Sequence, residues 1–423
     1  MKTRRDFLKS TLTGVAASWT LPSFLHHTAW SMEQANASSN LQAATGRDHP
    51  ILVVLQLGGG NDGLNTVIPY TQDAYFKARP QLKVDPARVL RLNDSLGLHP
   101  ALSGIRTLFD EGRAAIINGV GYPNPNRSHF RSMEIWHTAS DADKNEYYGW
   151  LGRYFDNTCG GEPEPTLGIA LSNAPPQAFH GVQQIGISMR HPKSYQFIGE
   201  SGDIGMDEGD HSMSGDSIQE LGSAAPGNDV GSPLDFLKRT TMDAEVSSET
   251  IRSITARQKN SLEYPRTRLA NDLSLVAQLI AGGMPTRIYY VNLGGFDTHA
   301  NQQNAHERLL KEFSEAVTAF CGDLNNLGLL DRVLVMSFSE FGRRVAENAS
   351  GGTDHGVAGP MFLFGGALKA GLHGEYPSLT DLNKGDLKHR VDFRSVYATV
   401  LDRWMNVSSR DILKREFPHL GII

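Results

Sequence analysis

Apolar residues along the chain follow two spacings, and each spacing predicts a different kind of element. Four runs are apolar at nearly every position: Ile51 to Leu57, Ala114 to Asn118, Ile288 to Leu293 and Val333 to Phe338. Continuous apolar strands are typical of parallel sheets, because helices bury both faces of such a sheet. We therefore expect these runs to be strands of a buried, mostly parallel sheet.

Two other segments carry apolar residues at steps of three and four. One stripe is followed by Gly328 and consists of Leu309, Leu310, Phe313, Ala316, Val317, Phe320, Leu324 and Leu327. The other stripe is followed by Gly282 and consists of Leu269, Leu273, Val276, Ala277 and Ile280. This spacing gives a helix one apolar face, and glycine commonly follows a helix end. The order of strands and helices predicts an α/β fold, with a doubly wound, mostly parallel sheet and helices on both faces.

Carboxylates and histidines follow three of the predicted strands. They are Asp62 after the first run, Asp297 and His299 after the third, and Glu340 after the fourth, with Asp354 and His355 shortly downstream. The C-terminal ends of parallel strands form a crevice, so residues far apart in sequence can meet there. Carboxylate oxygens and imidazole nitrogens gathered in one place are typical ligands of divalent metal ions.

Each of these residues also has an ordinary structural interpretation. Asp62 follows three glycines and could cap a turn or helix, and Asp297 could cap the helix that begins near Asn304. Glu340 and the neighbouring Arg343 could form an ion-paired surface turn. The glycines before Asp62 lack the spacing of a phosphate-binding loop. Spacing alone leaves the structural and metal-binding interpretations open.

Ser128 stands at the predicted start of a helix over residues 130–138, after the second strand-like run. A serine at a helix N-terminus near metal ions could act as a nucleophile, because the helix end favours an anion. The alternative is an ordinary N-cap. Arg343 or Arg344 could fork onto a phosphate or sulfate oxygen, and the alternative for either arginine is an ordinary surface position. No Gly-x-Ser-x-Gly elbow follows a strand, which argues against an α/β-hydrolase triad.

The N-terminal residues have the order of an export signal. Arg4 and Arg5 precede a weakly apolar stretch, Ser10 to Leu25, and the small residues Ala35 and Ala37 form a cleavage site. A pair of arginines before a short apolar region is typical of the twin-arginine route. We therefore expect recognition by the twin-arginine translocase and a periplasmic or secreted protein.

This signal and an acidic segment define the expected domain organisation. Residues 1–37 are the predicted signal peptide, and residues 38–423 the predicted α/β domain, with an insertion at about 190–260. Within that insertion, residues 200–249 are acidic and rich in glycine and serine, which predicts a mobile loop or lid.

Composition narrows the class of partner. The net charge of −6 gives no basic field, so nucleic acid is not an expected partner. Cys159 and Cys321 are the two cysteines, which is too few for a disulfide scaffold. They could pair with each other or remain two separate buried thiols.

Taken together, the motifs resemble domain-of-unknown-function family 1501, exported bacterial proteins similar to the alkaline phosphatase and sulfatase superfamily. The resemblance rests on Leu57 to Thr66, Arg127 to Phe130, Trp150 to Arg153, Gly295 to His299, Ser339 to Arg343 and Gly352 to Gly356. Alkaline phosphatases usually have a wider spacing than Asp297-Thr-His299, and an Asp-His pair where this chain has Ser339-Glu340. The Cys/Ser-x-Pro-x-Arg signature is absent, which disfavours a formylglycine sulfatase.

The resemblance implies a metal-dependent hydrolase of phosphate or sulfate esters with Ser128 as nucleophile. One or two divalent ions, zinc or manganese, would bind at the site. Asp62 and Glu340 would hold the ion beside Ser128, and Asp297, His299 and His355 would hold the other, with Asp354 able to serve either. The remaining assignments are Arg343 as a catalytic residue, and Asn65, Arg127 and His129 as contacts of a small-molecule or glycan ester.

A second hypothesis is a non-catalytic binding or assembly protein of the cell envelope that retains the fold. It would bind an envelope protein partner, and it predicts that changes in residues 200–249 weaken that binding.

Overall fold

The computed structural model describes residues 49–158, 165–182, 186–190 and 248–423. Strands, helices and contacts below refer to these residues. The predicted signal peptide, most of the predicted insertion and Cys159 lie outside them. Cys321 is buried.

The strands form a large sheet and a small one. In chain order they are β1 (Ile51–Gly58), β2 (Val67–Ile68), β3 (Leu90–Arg91), β4 (Gly97–Leu98), β5 (Ala114–Gly121), β6 (Gly168–Ala170), β7 (Ile187–Ser188), β8 (Ile288–Gly294), β9 (Val333–Phe338), β10 (Gly359–Gly365), β11 (Gly371–His373) and β12 (Val391–Asp392). The large sheet has the order β11-β5-β10-β9-β1-β8-β6-β7, with β12 also paired to β5. The small sheet has the order β2-β4-β3.

The helices lie mostly between the strands in sequence. They are α1 (Gly63–Thr66), α2 (Asp73–Ala78), α3 (Ser103–Asp110), α4 (His129–Thr138), α5 (Trp150–Thr158), α6 (Arg268–Ala281), α7 (Gln302–Asn326), α8 (Phe393–Thr399) and α9 (Ser409–Leu413). Residues 248–257 are also helical. A π-helical stretch, Val400–Trp404, follows α8, and short 3₁₀ turns occur at Pro100–Leu102, Pro165–Leu167, Gln177–Phe179 and Leu330–Arg332. No helix in the described ranges is both long and apolar enough to cross a membrane.

The large sheet is mostly parallel, as predicted. β1 pairs in parallel with β8 on one side and β9 on the other. β10 lies between β9 and β5 and is antiparallel to both. Because the direction reverses twice, β5 runs parallel to β9, and its C-terminal end lies at the same edge as those of β1, β8 and β9.

Both faces of the large sheet are covered, since alternate residues of β1 enter different cores. Ile51, Val53 and Leu55 belong to a core built largely with α3, α6 and α7. Leu52 and Val54 belong to a core built with α4, α5 and α8. Alternation of side chains along a strand produces this arrangement, and two covered faces explain why the strand sequence is apolar at nearly every position. The predicted α/β fold class is confirmed.

The predicted helices agree closely with the observed ones. The stripe after Leu269 lies on α6, and Gly282 is its C-cap residue. The stripe after Leu309 lies on α7, which ends at Asn326, two residues before Gly328. β10 was not among the predicted strands, although it is central to the observed sheet.

Candidate metal centre

Four loops at the C-terminal edge of the large sheet meet at the candidate site. They follow β1, β5, β8 and β9. Glycines permit close contact between them: a Cβ atom at Gly59 would lie 2.4 Å from the Asp297 nitrogen, and one at Gly352 would lie 2.3 Å from the His299 carbonyl carbon. Gly59 also has a φ of +117°, which is unfavourable for residues with a side chain. The glycine-rich motifs therefore pack the loops against one another.

Asp297, in the loop after β8, lies among three imidazole rings. Its Oδ1 is 3.0 Å from His299 Nε2 and 3.1 Å from His355 Nε2, and its Oδ2 is 3.4 Å from His129 Nε2. His299 Nε2 and His355 Nε2 are 2.9 Å apart. Ligand atoms of His129, Asp297 and His355 all lie within 4.8 Å of one another. Three imidazole nitrogens and one carboxylate thus converge on one small space.

The second nitrogen of each imidazole ring, Nδ1, faces an oxygen atom that lies outside the group formed by Asp297 and the three histidines. Nδ1 of His129 is 2.9 Å from Glu340 Oε1, and Nδ1 of His355 is 2.8 Å from the carbonyl oxygen of Arg127. Nδ1 of His299 is 3.5 Å from Asp354 Oδ1. Because carbonyl and carboxylate oxygens accept hydrogen bonds, a ring with its hydrogen on Nδ1 can donate to its outer oxygen and leave Nε2 free to bind an ion. Outer oxygens that fix ring orientation in this way are characteristic of histidine metal sites.

These orientations test whether the residues fit a metal ion. With Nδ1 protonated, a neutral ring has its lone pair on Nε2, and the Nε2 atoms of His299 and His355 face each other. A divalent ion between them would bind both lone pairs together with the neighbouring carboxylate of Asp297. A donor set of three imidazoles and one carboxylate suits zinc or manganese. The residues therefore fit the expected ion.

The site is open to solvent and holds a negative charge. Asp297 is 46% exposed, and the histidine side chains are 20–44% exposed. Burial raises the pKa of Asp297, but hydrogen bonds from Arg343 and His355 outweigh burial and lower that pKa to about 2. The carboxylate is thus ionised near neutral pH and accessible to a ligand.

Glu340 and Asp354 lie at the outer side of the group. Glu340 is 2% exposed, and its Oε1 accepts hydrogen bonds from His129 Nδ1 and from the Gly59 nitrogen. Asp354 accepts a hydrogen bond from Asn348 and lies beside His299. Both were predicted as direct ligands, whereas this geometry has them orient imidazole rings.

Arg343, predicted to be catalytic, has a fully buried side chain. Its guanidinium donates to the carbonyl oxygens of Gly59, Gly60, Phe296 and Thr353, and to Asp297 Oδ1 at 2.8 Å. These contacts join three loops and leave the side chain no surface for a substrate. Arg343 is therefore a positioning residue in this structure.

The structure does not bring Asp62 to the histidines. Asp62 is fully buried in an ion pair with Arg79 and also accepts a hydrogen bond from Gln302. Burial raises its pKa, but Arg79 outweighs burial and the pKa is lowered. Asn65, predicted to contact substrate, is also buried, and its amide bonds to Leu82 and Tyr75. Both residues stabilise the segment after β1.

Ser128 is the N-cap residue of α4 and directly precedes His129. It is exposed, and its side chain makes no capping hydrogen bond. The hydroxyl is therefore solvent-accessible and does not cap the helix. Arg127, another predicted substrate contact, forms an ion pair with the buried Asp386 and is 40% exposed.

His129 has a different position from the one expected. It was predicted to contact substrate, but its Nε2 points toward Asp297 together with His299 and His355. The signal was present in the sequence, since His129 follows an apolar strand run as the other candidates do. His129 lies eight residues beyond Gly121, the last residue of β5, and this longer gap concealed its relation to the strand end.

Comparison with known proteins gives one family match. The model of the family described as "Protein of unknown function (DUF1501)" matches residues 238–415. The expected resemblance is confirmed over these residues, which include Asp297, His299, Glu340, Asp354 and His355. No curated protein matches the sequence.

Several solved structures are similar at low identity. A protein in the alkaline phosphatase superfamily from Vibrio parahaemolyticus is 10% identical with a TM-score of 0.40, over 87% of this chain and 69% of that chain. The PsFucS1 sulfatase from Pseudoalteromonas sp. is 10% identical with a TM-score of 0.36, over 90% and 72% of the two chains. A phosphonate monoester hydrolase from Silicibacter pomeroyi is 12% identical with a TM-score of 0.35, over 88% and 77%. These scores do not support an activity for this chain.

Proposed function

We propose that the protein is a metal-dependent hydrolase of phosphate or sulfate esters. The observation that carries the proposal is the convergence of three imidazole Nε2 atoms on the carboxylate of Asp297, each ring with its Nδ1 facing an outer oxygen. Such pre-orientation is expected of a site that holds a divalent ion.

Asp297, His129, His299 and His355 would hold one ion. Among the described residues, only one group of three or more candidate ligands lies within 4.8 Å, which favours one ion over two. A divalent ion bound there would act as a Lewis acid, polarising a phosphoryl or sulfuryl oxygen and favouring loss of a proton from the attacking oxygen. Zinc and manganese are the ions that this donor set suits.

Two arginines beside the group support an anionic substrate. Arg127 and Arg344 both approach Asp386, with Arg344 Nε 3.7 Å from Asp386 Oδ1. Arg344 is 36% exposed, so both guanidiniums reach solvent while sharing one buried carboxylate. These solvent-exposed guanidiniums would attract and orient the charged oxygens of an ester, which could be a small molecule or a glycan ester.

Ser128 is the candidate nucleophile. Its oxygen would bond to the phosphorus or sulfur atom as the ester oxygen leaves, and water would later release the group from the serine. The N-terminal end of α4 favours the negative charge that develops there. A free hydroxyl next to His129 is consistent with this role.

We further propose that the protein reaches the periplasm or cell exterior through the twin-arginine translocase. The support is the Arg4-Arg5 signal in the sequence. Export by this route occurs after folding, so an ion could be bound before translocation.

The test combines elemental analysis with a substrate panel. Protein purified from its natural host should contain about one equivalent of zinc or manganese and should hydrolyse at least one phosphate or sulfate ester. His355→Ala should lose the ion and the activity, because it removes one of the four converging ligands. Ser128→Ala should retain the ion and lose turnover.

Ser103→Ala is the matched control, since Ser103 is also exposed but lies on α3. It should retain both properties. Metal-free protein whose melting temperature is unchanged by strong chelation would contradict the metal site. Metal-loaded protein that hydrolyses no ester on the panel would contradict the activity and favour the non-catalytic envelope role.

A further inference from the structure

A second polar cavity lies at the other end of α4 from His129. It has a volume of about 140 Å³, and its lining includes Thr138, the last residue of α4, and segments near α9. α4 has ten residues, so the cavity is about 15 Å from the start of the helix. It therefore does not belong to the candidate metal centre.

Positive charge exceeds negative charge in this cavity. The cationic lining residues are Lys144, Arg153, Arg394, Lys414 and Arg415, and the acidic ones are Asp141 and Glu146. Asp392 also pairs with Arg394. Asp156 likewise acts on the charge of Arg153. Five cations and four carboxylates leave an excess of one positive charge. The larger cavity near His99, about 180 Å³, has no such excess, because its charged residues are Lys83, Arg88, Asp85 and Glu307.

Arg153 is one of the two buried cations in this lining, and its hydrogen-bond partners are neutral. Its guanidinium donates to the carbonyl oxygens of Tyr148, Thr138 and Ile412. Burial lowers the pKa of Arg153 to about 10, even though Glu146 raises it. A buried charge whose hydrogen bonds go to carbonyl oxygens is stabilised further when an anion comes near. The bond to Thr138 also covers the carbonyl end of α4, which would otherwise repel an anion.

Ser140 provides a second, independent observation. It lines the cavity and is 7% exposed, and its Oγ has no hydrogen-bond partner among the described residues. A buried hydroxyl without a partner is costly, and native structures usually satisfy such groups with protein, water or a ligand. Here the hydroxyl could donate to an anionic oxygen.

Phe417 holds two of the cations in place. The Arg394 guanidinium carbon is 4.9 Å from the centre of its ring, and that of Arg415 is 4.6 Å from it. Arg394 is further fixed by Asp141 and Asp392, with side-chain exposure of 3%. The guanidiniums are thus positioned before any ligand arrives, which lowers the entropic cost of binding.

We propose that this cavity binds a small oxyanion, with inorganic phosphate and sulfate as the representative ligands. Its volume corresponds to about four or five water molecules, enough for a tetrahedral oxyanion. Ser140 Oγ and the Arg415 guanidinium would donate to its oxygens, and Arg153 would contribute charge. This inference does not depend on the activity proposed for the metal centre.

The test is calorimetric titration of the metal-loaded, full-length protein with phosphate and with sulfate at constant ionic strength. Ser140→Ala and Arg415→Gln should each weaken binding by about tenfold or more, because each removes a donor to a charged ligand. Arg410→Gln removes the same charge from an exposed arginine that pairs with Glu416 and does not line the cavity, so it should leave affinity unchanged.

A His299→Ala background separates this cavity from the metal centre. Binding should persist in that background and should still weaken with Arg415→Gln. In the wild-type protein, saturating phosphate should raise the melting temperature relative to chloride. The proposal is overturned if Ser140→Ala and Arg415→Gln bind as the wild type does. It is equally overturned if Arg410→Gln weakens binding as much as they do, or if His299→Ala abolishes binding.

Discussion

Glu340 fixes the orientation of His129 in the candidate metal centre. Its Oε1 accepts from His129 Nδ1 at 2.9 Å and from the Gly59 nitrogen at 2.8 Å. Glu340→Ala should therefore weaken zinc affinity by about 10–100-fold, the range for loss of an outer partner of a metal-bound histidine. Competition with a chelator of known affinity, monitored by elemental analysis or a dye, measures the change.

Glu375→Gln is the matched control, because it removes one carboxylate charge from a 74% exposed side chain that pairs with Arg390. Its zinc affinity should equal that of the wild type. If Glu340→Ala were to abolish zinc binding altogether, Glu340 would be a direct ligand, as the sequence suggested. If it had no effect, the contact with His129 would be unimportant for the ion.

The roles of individual residues were the features that the sequence predicted least well. Asp62 follows a strand as Asp297 does, yet its partner Arg79 lies 17 residues further along the chain, and nothing in the motif around Asp62 indicates that pairing. The roles of Glu340 and His129 depend on which nitrogen of a ring faces which oxygen. Such orientation is set by loop packing, so strand-end position alone could locate the site but could not separate ligands from their supports.

At the scale of elements, Arg343 joins the loops that follow β1, β8 and β9. Its bonds reach Gly59, Gly60, Phe296 and Thr353 from a fully buried side chain. Arg343→Met should lower the free energy of unfolding by at least about 3 kcal/mol, because several buried carbonyls each lose a charge-assisted bond worth about 1.5–3 kcal/mol. Urea denaturation in the presence of a chelator measures this without the contribution of an ion.

Arg88→Met provides the comparison, since Arg88 is 59% exposed and lies 3.9 Å from Glu307. An exposed pair of this kind contributes about 0–1 kcal/mol. Equal stability of the two variants would indicate that the Arg343 contacts are not the main connection between the loops, and would restore the catalytic interpretation of Arg343.

The elements with strong periodicity were the predictable ones. α6 and β1 have apolar spacings that only one type of element fits, and their ends agree with the sequence within one or two residues. β10 begins with Gly359 and Pro360 and ends at Gly365, and its apolar part, Met361 to Phe364, is short. A run of that length fits a strand or a buried helix segment equally well, so periodicity did not identify it.

At the scale of the whole molecule, the mixed direction of the sheet explains why the candidate site has its present composition. β10 is antiparallel to both neighbours, and this double reversal returns β5 to the direction of β1, β8 and β9. His129 follows β5, so the same reversal brings it to the edge where Asp297, His299 and His355 lie. A single reversal, with β5 antiparallel to β9, would be compatible with the strand sequences and would place the C-terminal end of β5, and His129 after it, at the opposite edge.

Three buried histidines make the stability of the whole domain depend on pH. Burial lowers the pKa of His137 to about 3 and those of His99 and His306 to about 4. In the unfolded chain these rings have a pKa of about 6.5. Below that pH the unfolded chain binds protons that the folded protein excludes, so stability is complete above about pH 6.5 and decreases as the pH falls toward 4.

The decrease should be on the order of 1 kcal/mol per pH unit for each histidine that titrates in this way. Denaturation by urea at pH 7.5 and pH 5, at fixed ionic strength and with chelator present, measures it. The Asp62 and Asp297 carboxylates, whose pKa values are lowered, affect stability only below about pH 4, so this window isolates the histidines.

His137 Nε2 is 2.9 Å from the Tyr290 hydroxyl, and His137→Gln removes both that contact and one proton-excluding ring. The variant should therefore be less stable than the wild type at pH 7.5, with the difference becoming smaller at pH 5. A difference that stays constant between the two pH values would show that His137 is not held neutral in the folded protein.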